Sequence, residues 1–324
     1  MQVTIGTFNL NNLFSRFNFE GAITELKEPG ASSAMSFKYE FTDPETYRVR
    51  TFMGKLVNAK KEGGTETIAK RIIAMDVDVL GVQEVEDIDI LKDFNKKHLG
   101  GLYPYQVLIE GNDSRFIDVG LLAKLPIGAV TSHQTAVHPA RPAQRVFGRD
   151  LLEAEILSTD RKKVLFTLFI NHLKSHFGDD DNGGQGKIDN DERRKQQAEM
   201  IQAIVSARMN KNARYIILGD MNDAPDSAPL QAMQIIEGNQ MVNVIINPEE
   251  TRPAKKETLG PGPQTKAWTY RHKASGEPPT FSLFDQIWLS QALASKLTGT
   301  TIDRRTKHGG DGSDHDPVWI ELEI

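Results

Sequence analysis

Polar side chains interrupt or end several apolar, strand-like runs of this sequence. In chain order they are Asn9 and Asn11, Glu84, His172, Asp220 and Asn222, Asp285, and Asp314 with His315. Any one of them alone is commonly a solvated turn residue. A stable core has no use for such groups at strand ends unless water reaches them, so together they indicate one polar site at one edge of the sheets.

The residue types at these positions favour hard-cation and proton-transfer chemistry. Glu84 is a hard oxygen ligand, and Mg²⁺ prefers one or two carboxylates, several waters and a substrate phosphate over a cage built only from protein. His315 carries the side chain whose pKa is most readily tuned to work near neutral pH. The chain has no cysteine, which excludes disulfides, zinc–thiolate sites, iron–sulfur clusters and thiol nucleophiles.

The elements that must position these residues are mostly short strands. Apolar runs rich in β-branched residues cover residues 3–8, 77–82, 105–109, 119–123, 151–156, 164–171, 215–219, 286–289 and 318–324. This number of strands predicts at least one large sheet and more comfortably two. Helical patterns at Thr67–Met75 and Arg193–Met209 alternate with strands only part of the time, which favours sheets packed face to face with helices outside over one parallel Rossmann sheet.

Length and composition indicate one large folded unit. The 324 residues allow two domains or one two-sheet unit, and no shift in composition marks a boundary. We therefore predict a single domain over residues 1–324 with loop insertions near residues 28–64, 177–191 and 248–279. No Gly-x-Gly-x-x-Gly and no Walker lysine loop occurs, which removes the commonest nucleotide-cofactor interpretations.

The charge and the hydropathy pattern restrict partners and location. A formal net charge of −5 argues against a general nucleic-acid coat, although a local basic groove remains compatible with it. No basic flank followed by an apolar run begins the sequence, and no 18-residue apolar stretch occurs, so neither a secretory signal nor a membrane span is predicted. We expect a cytoplasmic protein without an obligate protein partner.

Six motifs give the chain a family resemblance. They are TFNLNN, GVQEVE, NHLKSH, LGDMND, FDQIW and GSDHDPV, and they stand in the order and spacing seen in the endonuclease/exonuclease/phosphatase superfamily. The resemblance runs from about residue 3 to residue 322. It implies an α+β fold, a four-layer αββα sandwich of two mixed β-sheets flanked by helices, which agrees with the strand count.

The resemblance also implies a metal site. Glu84 matches the glutamate that holds the catalytic metal, Asn9 lies beside it, and Asp314 can complete the metal shell or orient its neighbour. Asn11 stands where some relatives have an aspartate, which leaves the site with less negative charge. Mg²⁺ or Mn²⁺ is the implied cofactor, with Ca²⁺ as an alternative.

Catalytic roles follow from the same resemblance. Asp220, in the turn predicted after a buried strand, would orient or deprotonate the attacking water, and Asn222 would present its amide to a non-bridging phosphate oxygen. His172 would stabilise the charge that develops on phosphate. His315, paired with Asp285, would polarise or protonate the phosphoryl group or serve as a base.

Three further residues are candidate phosphate ligands. Arg115 resembles an arginine of bacterial members, and its guanidinium could fork onto a phosphate, with a structural ion pair to Asp118 as the alternative. Lys174 and His176 add positive charge near His172, or else belong to a solvated loop. A pair of charged residues at positions 149 and 150 is interpreted as structural, because an alternating strand follows at once.

The function that these residues imply is divalent-metal-dependent phosphoester hydrolysis, with in-line attack of an activated water on a phosphodiester, either a small diester or nucleic acid. The alternatives are an endonuclease acting on DNA, a phosphomonoesterase, and a binding module that has lost activity. An inactive relative would be expected to lack Asp220 or His315. The chain is acidic overall, and its longest loops carry Asp, Glu, Pro and Gly rather than Arg clusters, which disfavours a duplex-DNA footprint and favours a small substrate.

Overall fold

The computed structural model describes residues 1–14, 60–113, 115–179, 184–253, 261–273, 275–305 and 311–324. The strands are β1 (Gln2–Leu13), β2 (Val79–Val85), β3 (Tyr105–Leu108), β4 (Asp118–Ala123), β5 (Ile127–Ser132), β6 (Leu152–Leu157), β7 (Val164–His172), β8 (Tyr215–Asp220), β9 (Ile235–Ile236), β10 (Asn239–Gln240), β11 (Val242–Asn243), β12 (Glu249–Glu250), β13 (Tyr270–His272), β14 (Thr280–Ser282), β15 (Asp285–Leu289), β16 (Leu297–Ile302) and β17 (Val318–Glu323). The helices are α1 (Glu62–Met75), α2 (Ile88–His98), α3 (Gln185–Arg208), α4 (Gln291–Ala294) and a 3₁₀ helix at Ala228–Gln234.

Two large sheets contain all nine predicted strands. The first sheet has the order β12-β16-β17-β1-β2-β4-β3, and the second has the order β11-β15-β8-β7-β6-β5. Both are mixed, because β1 pairs parallel with β2 and β7 pairs parallel with β8 while their other neighbours run antiparallel. The prediction of an α+β fold with two mixed sheets is confirmed.

A continuous apolar core fills the space between the two sheets. Successive side chains of a strand point to opposite faces, so every second residue of each central strand enters this core. Ile5 of β1 and Val79 of β2 meet Ile170 and Leu218 of the second sheet there. The sheets approach closely at Gly81, where an added Cβ would lie 2.5 Å from the Leu218 Cδ1 atom.

Helices cover the outer faces of both sheets and complete four layers. Ile68 and Ile72 of α1, with Leu91 of α2, pack on the outer face of the first sheet. Ile201 and Val205 of α3 pack on the outer face of the second. Burying an aliphatic side chain of this size contributes about 1.5–3 kcal/mol. Among the described residues, no helix is both long enough and apolar enough to cross a membrane.

Both predicted helices begin earlier than the sequence suggested, and helix α2 was not predicted. Helix α3 begins at Gln185, eight residues before the predicted Arg193, so the end of the loop predicted at 177–191 is helical. Lys187 and Asp191 form an i,i+4 ion pair of 2.9 Å within these additional residues, which favours their helical conformation. Helix α2 carries its own start signal, since the Asp87 side chain accepts a hydrogen bond from the Ile90 amide.

The other predicted insertions are described only in part. Residues 15–59, 180–183 and 254–260 lie outside the described residues, so most of the insertion at 28–64 cannot be placed. The segment 248–279 is not a plain loop, because β12 pairs with β16 and β13 pairs with β14. The organisation of the chain as a single domain with these insertions stays a prediction.

Gly219 is a position in the second sheet at which the backbone leaves no room for a side chain. Its φ is 138°, and an added Cβ would lie 2.0 Å from the Asn171 carbonyl oxygen. We expect Gly219→Ala to lower the free energy of unfolding by on the order of 3 kcal/mol, because a positive φ and a backbone clash combine. Chemical denaturation measures this. Gly148→Ala, where no atom lies within 4 Å, is the control; equal denaturation midpoints for the two variants would contradict the expectation.

Candidate active site

The alternation that builds the core between the sheets continues into polar residues at one edge. On β8, Ile216 and Leu218 face this core, and Asp220 takes the next position on the same face. The same alternation places the other strand-end residues, namely Asn9 of β1, His172 of β7 and Asp285 of β15. All are almost fully buried. The two sheets therefore bring four predicted site residues together.

Glu84 reaches this edge through a β-bulge. The register of β2 with both neighbouring strands shifts around this residue, and its φ of 61° is rare outside glycine. Asn11 and Asn12 on β1 also have positive φ, of 47° and 60°. The Asn12 amide donates a hydrogen bond of 3.0 Å to Glu84 Oε2. Backbone strain of this kind concentrates at functional sites.

Asn9 connects carboxylates of the two sheets. Its Nδ2 donates to Asp220 Oδ2 at 2.9 Å and lies 3.3 Å from Glu84 Oε1. Its Oδ1 accepts a hydrogen bond of 2.9 Å from the Asn11 amide, which fixes the orientation of the side chain. One amide group therefore holds the predicted base beside the predicted metal ligand.

Asp220 is buried at the end of a strand, whereas the sequence predicted that it lies in the turn after the strand. It is the last residue of β8 and is 1% exposed. Burial raises the pKa of its carboxyl to about 6, while the His315 charge and the hydrogen bond from Asn9 oppose this rise. The Asn222 amide donates to Asp220 Oδ1 at 2.9 Å, and the Asn222 side chain donates to the Leu173 carbonyl at 3.2 Å. The carboxyl is thus held by donors on both oxygens.

The pKa values of the two histidines are shifted in opposite directions. His172 Nε2 lies 3.5 Å from Asp220 Oδ2, and burial together with the charges of Arg149 and His315 lowers its pKa well below its ordinary value. Burial also disfavours the charged form of His315, but Asp285 and Asp220 outweigh it and raise the pKa of His315 well above its ordinary value. A neutral imidazole and an imidazolium therefore flank the same carboxylate.

Asp285 fixes the ring of His315. His315 Nδ1 lies 2.7 Å from Asp285 Oδ2, and His315 Nε2 lies 3.8 Å from Asp220 Oδ2. The Thr269 hydroxyl accepts a hydrogen bond of 3.0 Å from the Asp285 amide. Ser313 accepts from the His315 amide at 3.0 Å and donates to the Asn9 carbonyl at 2.7 Å. This network ties the loop that carries His315 to β1.

The remaining predicted metal ligands, Asn11 and Asp314, are hydrogen-bonded to each other. Asn11 Nδ2 donates to Asp314 Oδ1 at 2.8 Å. The Lys60 ammonium donates to the Asn11 carbonyl, and burial lowers its pKa to about 8 against the opposing charges of Glu84 and Asp314. Sequence reasoning missed Lys60, because no local pattern marks it. Within the described parts of the chain, no group of three or more His, Asp or Glu side chains that could hold a metal is found.

The predicted phosphate ligands have partners of their own. Arg115 Nη2 lies 2.8 Å from Asp113 Oδ2, a different carboxylate from Asp118, which the sequence offered as the alternative to a phosphate. Asp118 instead accepts a hydrogen bond of 2.9 Å from the Gly111 amide. Lys174 Nζ donates to backbone carbonyls of its own loop at 2.9 and 3.2 Å, and His176 Nδ1 lies 2.8 Å from the Asp179 carboxylate.

Arg149 is a site neighbour that the sequence did not reveal. Its guanidinium is buried, lies 3.2 Å from Asp113 Oδ2 and donates to the Leu173 carbonyl at 3.2 Å. Its positive charge helps to keep the neighbouring His172 neutral. The contacts of Arg149 agree with the structural role that the sequence suggested. Its effect on the pKa of His172 was not predicted, because the two residues are distant in sequence.

A sequence model of the endonuclease/exonuclease/phosphatase family matches residues 55–308. The chain belongs to this family. No curated protein matches the sequence at a significant level. Members of the family with solved structures share the fold, including an endonuclease/exonuclease/phosphatase from Bacteroides vulgatus with 14% identity and a TM-score of 0.59, covering 100% of this chain and 99% of that chain.

Two other solved structures are similar in fold at comparable distance. TDP2 from D. rerio, complexed with a single-strand DNA product, has 14% identity and a TM-score of 0.57, covering 100% of this chain and 99% of that chain. A mannosyl-6-phosphatase from Bacteroides thetaiotaomicron has 15% identity and a TM-score of 0.55, covering 99% of this chain and 100% of that chain. At these identities the likeness concerns the fold alone.

The raised pKa of Asp220 makes its burial costly once it ionises. When the pKa of an acid is higher in the folded state than in the unfolded state, the protein loses stability as the pH rises from the unfolded-state pKa to the folded-state pKa. The pKa of Asp220 rises from 3.8 to about 6. Each pKa unit corresponds to about 1.4 kcal/mol. As the pH rises from about 4 to about 6.5, the free energy of unfolding of Asp220→Asn should therefore increase relative to that of wild type by up to about 3 kcal/mol.

Thermal melts in a chelator at both pH values measure this difference. The change with pH carries the result, because the lost hydrogen bond of the amide variant is the same at both values. Asp226→Asn, an exposed residue six positions further on, is the matched control and should show no such change. A stability difference for Asp220→Asn that does not vary with pH would contradict the buried, raised-pKa carboxyl.

Proposed function

We propose that the protein is a divalent-metal-dependent phosphodiesterase that hydrolyses its substrate by in-line attack of water. The observation that carries this proposal is the position of the buried Asp220 carboxyl, which accepts a hydrogen bond of 2.9 Å from Asn9 and lies 3.5 Å from His172 Nε2 and 3.8 Å from His315 Nε2. Burial raises the pKa of this carboxyl to about 6. A base with a pKa near the working pH and a cation to stabilise developing negative charge are the two groups that phosphoester hydrolysis requires.

The residues beside Glu84 suit one hard cation. Glu84 and Asp314 supply two carboxylates, which matches the preference of Mg²⁺ or Mn²⁺ for one or two carboxylates, waters and substrate phosphate. The Asn9 and Asn11 side chains donate from Nδ2 to Glu84 and Asp314, so each amide would turn to offer its oxygen to the metal. Ca²⁺ also accepts such ligands. The Lys60 ammonium, which the charges of Glu84 and Asp314 favour, already supplies one positive charge and disfavours a second ion. When bound, the metal would polarise a phosphoryl oxygen.

Protein side chains provide the proton transfers. Asp220 takes a proton from the attacking water as the new oxygen–phosphorus bond forms, and Asn9 holds its carboxylate in place. The bond from phosphorus to the leaving oxygen breaks, and the leaving oxygen takes a proton from His315 Nε2. Transfer of the proton from Asp220 to His315, whose atoms lie 3.8 Å apart, then restores the site. His172 and Asn222 stabilise the phosphate oxygens.

A small or single-stranded substrate fits the charge distribution better than duplex DNA. The chain has a net charge of −5, and the predicted phosphate ligands Arg115, Lys174 and His176 bind partners of their own chain. These three groups are thus already paired within the described part of the chain and do not form a row of phosphate contacts. The proteins of similar fold include one complexed with a DNA product and one named as a sugar phosphatase, which supports phosphoester chemistry. The substrate must therefore be inferred from the residues of the site.

Loss of the base should lower turnover strongly and leave the fold intact. We expect Asp220→Asn to lower kcat on bis-p-nitrophenyl phosphate by on the order of 100-fold or more in Mg²⁺ or Mn²⁺, because a positioned general base contributes on that scale. Steady-state kinetics measure the change, with Asp226→Asn as the exposed control. Full activity of Asp220→Asn, with the control also active, would refute the assignment.

Removing the charge of Glu84 should weaken metal binding. We expect Glu84→Gln to raise the calorimetric dissociation constant for Mn²⁺ by on the order of 10-fold or more, since a hard-cation site loses one of its carboxylates. Glu66→Gln, at an exposed position of α1, is the control. An unchanged affinity in Glu84→Gln would place the metal elsewhere.

A further inference from the structure

Two loops at the end of the second sheet opposite the candidate active site carry a concentration of positive charge. The loop at residues 158–163 joins β6 to β7, and the loop at residues 209–214 joins α3 to β8. Together they contain one acid, Asp160, and five basic residues, all exposed, which we call the basic end: Arg161, Lys162, Lys163, Lys211 and Arg214. This local excess contrasts with the net charge of −5 of the whole chain.

The pairing of two central strands brings these loops together and separates them from the catalytic groups. Strands β7 and β8 are parallel, and the Thr167 amide donates to the Arg214 carbonyl at 2.9 Å near the start of β8. The same two strands end at His172 and Asp220. At a rise of about 3.3 Å per residue, the 9 residues of β7 put roughly 25 Å between the basic end and the candidate active site.

Hydrogen bonds hold the loop between β6 and β7 in one conformation. The Ser158 amide donates to the Lys163 carbonyl at 2.9 Å, and the Lys163 amide donates to the Ser158 hydroxyl at 3.1 Å. The Asp160 carboxylate accepts hydrogen bonds from the Ser158 hydroxyl at 2.7 Å and from the Lys162 amide at 3.1 Å. Arg161 has a φ of 61°, so the loop keeps an arginine at a position where glycine would be less strained.

The protein itself does not neutralise the basic end. None of its five side chains pairs with a carboxylate in the part of the chain that the structure describes. Lys124, by contrast, lies 2.7 Å from the Asp76 carboxylate. Arg161 contacts a neutral group, the Tyr105 hydroxyl, at 3.1 Å. Like charges on neighbouring loops repel one another, and an anionic partner would relieve this repulsion.

The chemistry of this end fits an anionic lipid surface better than a nucleic acid. Val164, the first residue of β7, is 48% exposed next to Lys163, and an apolar side chain among cations suits the boundary between lipid headgroups and acyl chains. The ring that Arg161 contacts, Tyr105, is half-buried. A nucleic acid bound here would hold its phosphates roughly 25 Å from the candidate active site.

We propose that the basic end docks the protein on an anionic lipid surface, with the candidate active site on the far side and open to water-soluble substrates. Each Lys or Arg close to such a surface strengthens binding by about fivefold. Because the chain as a whole is negative, attraction depends on the basic end facing the lipid. The proposal goes beyond the proposed phosphodiesterase function, since no residue of the basic end belongs to the candidate active site.

Sedimentation with lipid vesicles measures the docking. We expect wild type to bind vesicles with about one third phosphatidylglycerol on the order of 100-fold or more tighter than pure phosphatidylcholine at low salt, and added salt to reduce the difference. Lys162→Gln/Lys163→Gln should weaken binding by on the order of 30-fold, because two lysines are lost. Lys92→Gln/Lys96→Gln, which removes two exposed lysines of α2, is the matched control and should bind like wild type.

A fluorescent label tests the orientation on the lipid. The chain has no cysteine, so a single introduced cysteine carries the label at one place. A polarity-sensitive dye on Thr159→Cys, in the loop between β6 and β7, should brighten with anionic vesicles. The same dye on Asp226→Cys, an exposed position beyond the end of β8, should not respond.

Four results would overturn the proposal. They are absence of vesicle binding by wild type, no greater loss of binding in Lys162→Gln/Lys163→Gln than in the control, and a dye response at position 226 that equals or exceeds the response at position 159. The fourth is binding of an oligonucleotide in place of vesicles, lost in the same double variant, which would assign the basic end to a nucleic acid. None of these measurements involves turnover, so failure of the proposal and failure of the proposed function are distinguishable.

Discussion

The hydrogen bond of 2.9 Å from the Asn9 side chain to Asp220 joins the two sheets at the edge where every candidate catalytic group lies. Asn9 is on β1 of the first sheet and Asp220 is on β8 of the second, and both are almost fully buried. The bond can form only because the apolar faces of both sheets pack closely along the strands that precede these residues. Core packing thus sets the distance between the metal-binding edge and the base.

A buried ionic network supports the loop that presents His315. Asp316, the next residue, accepts hydrogen bonds from Arg305 Nε at 2.9 Å and from the Arg305 amide at 3.1 Å, and it lies 3.3 Å from Arg304 Nη1. The Arg304 guanidinium lies 3.9 Å from the centre of the Trp268 ring. Breaking a buried pair leaves an uncompensated charge, so these contacts restrict the loop to one arrangement. The position of His315 is thereby fixed relative to β1 and β15.

The sequence predicted what depends on local pattern and missed what depends on distant neighbours. Strand ends, the four layers and the convergence of Asn9, His172 and Asp220 follow from alternation along each strand. The bulge at Glu84 does not, because its positive φ has no signature in residue type. The partner of Arg115 could not be read either, since Asp113 and Asp118 are both near in sequence and only the fold selects Asp113.

The central claim is that both sheets build one phosphoester site with its metal at Glu84. The most direct measurement is an anomalous difference map from crystals grown with Mn²⁺ and inorganic phosphate. The account predicts a Mn²⁺ peak bound directly to a Glu84 carboxylate oxygen, with phosphate between His172 and His315. A peak at other carboxylates, with Glu84 still bonded to the Asn12 amide and no phosphate beside the histidines, would contradict it.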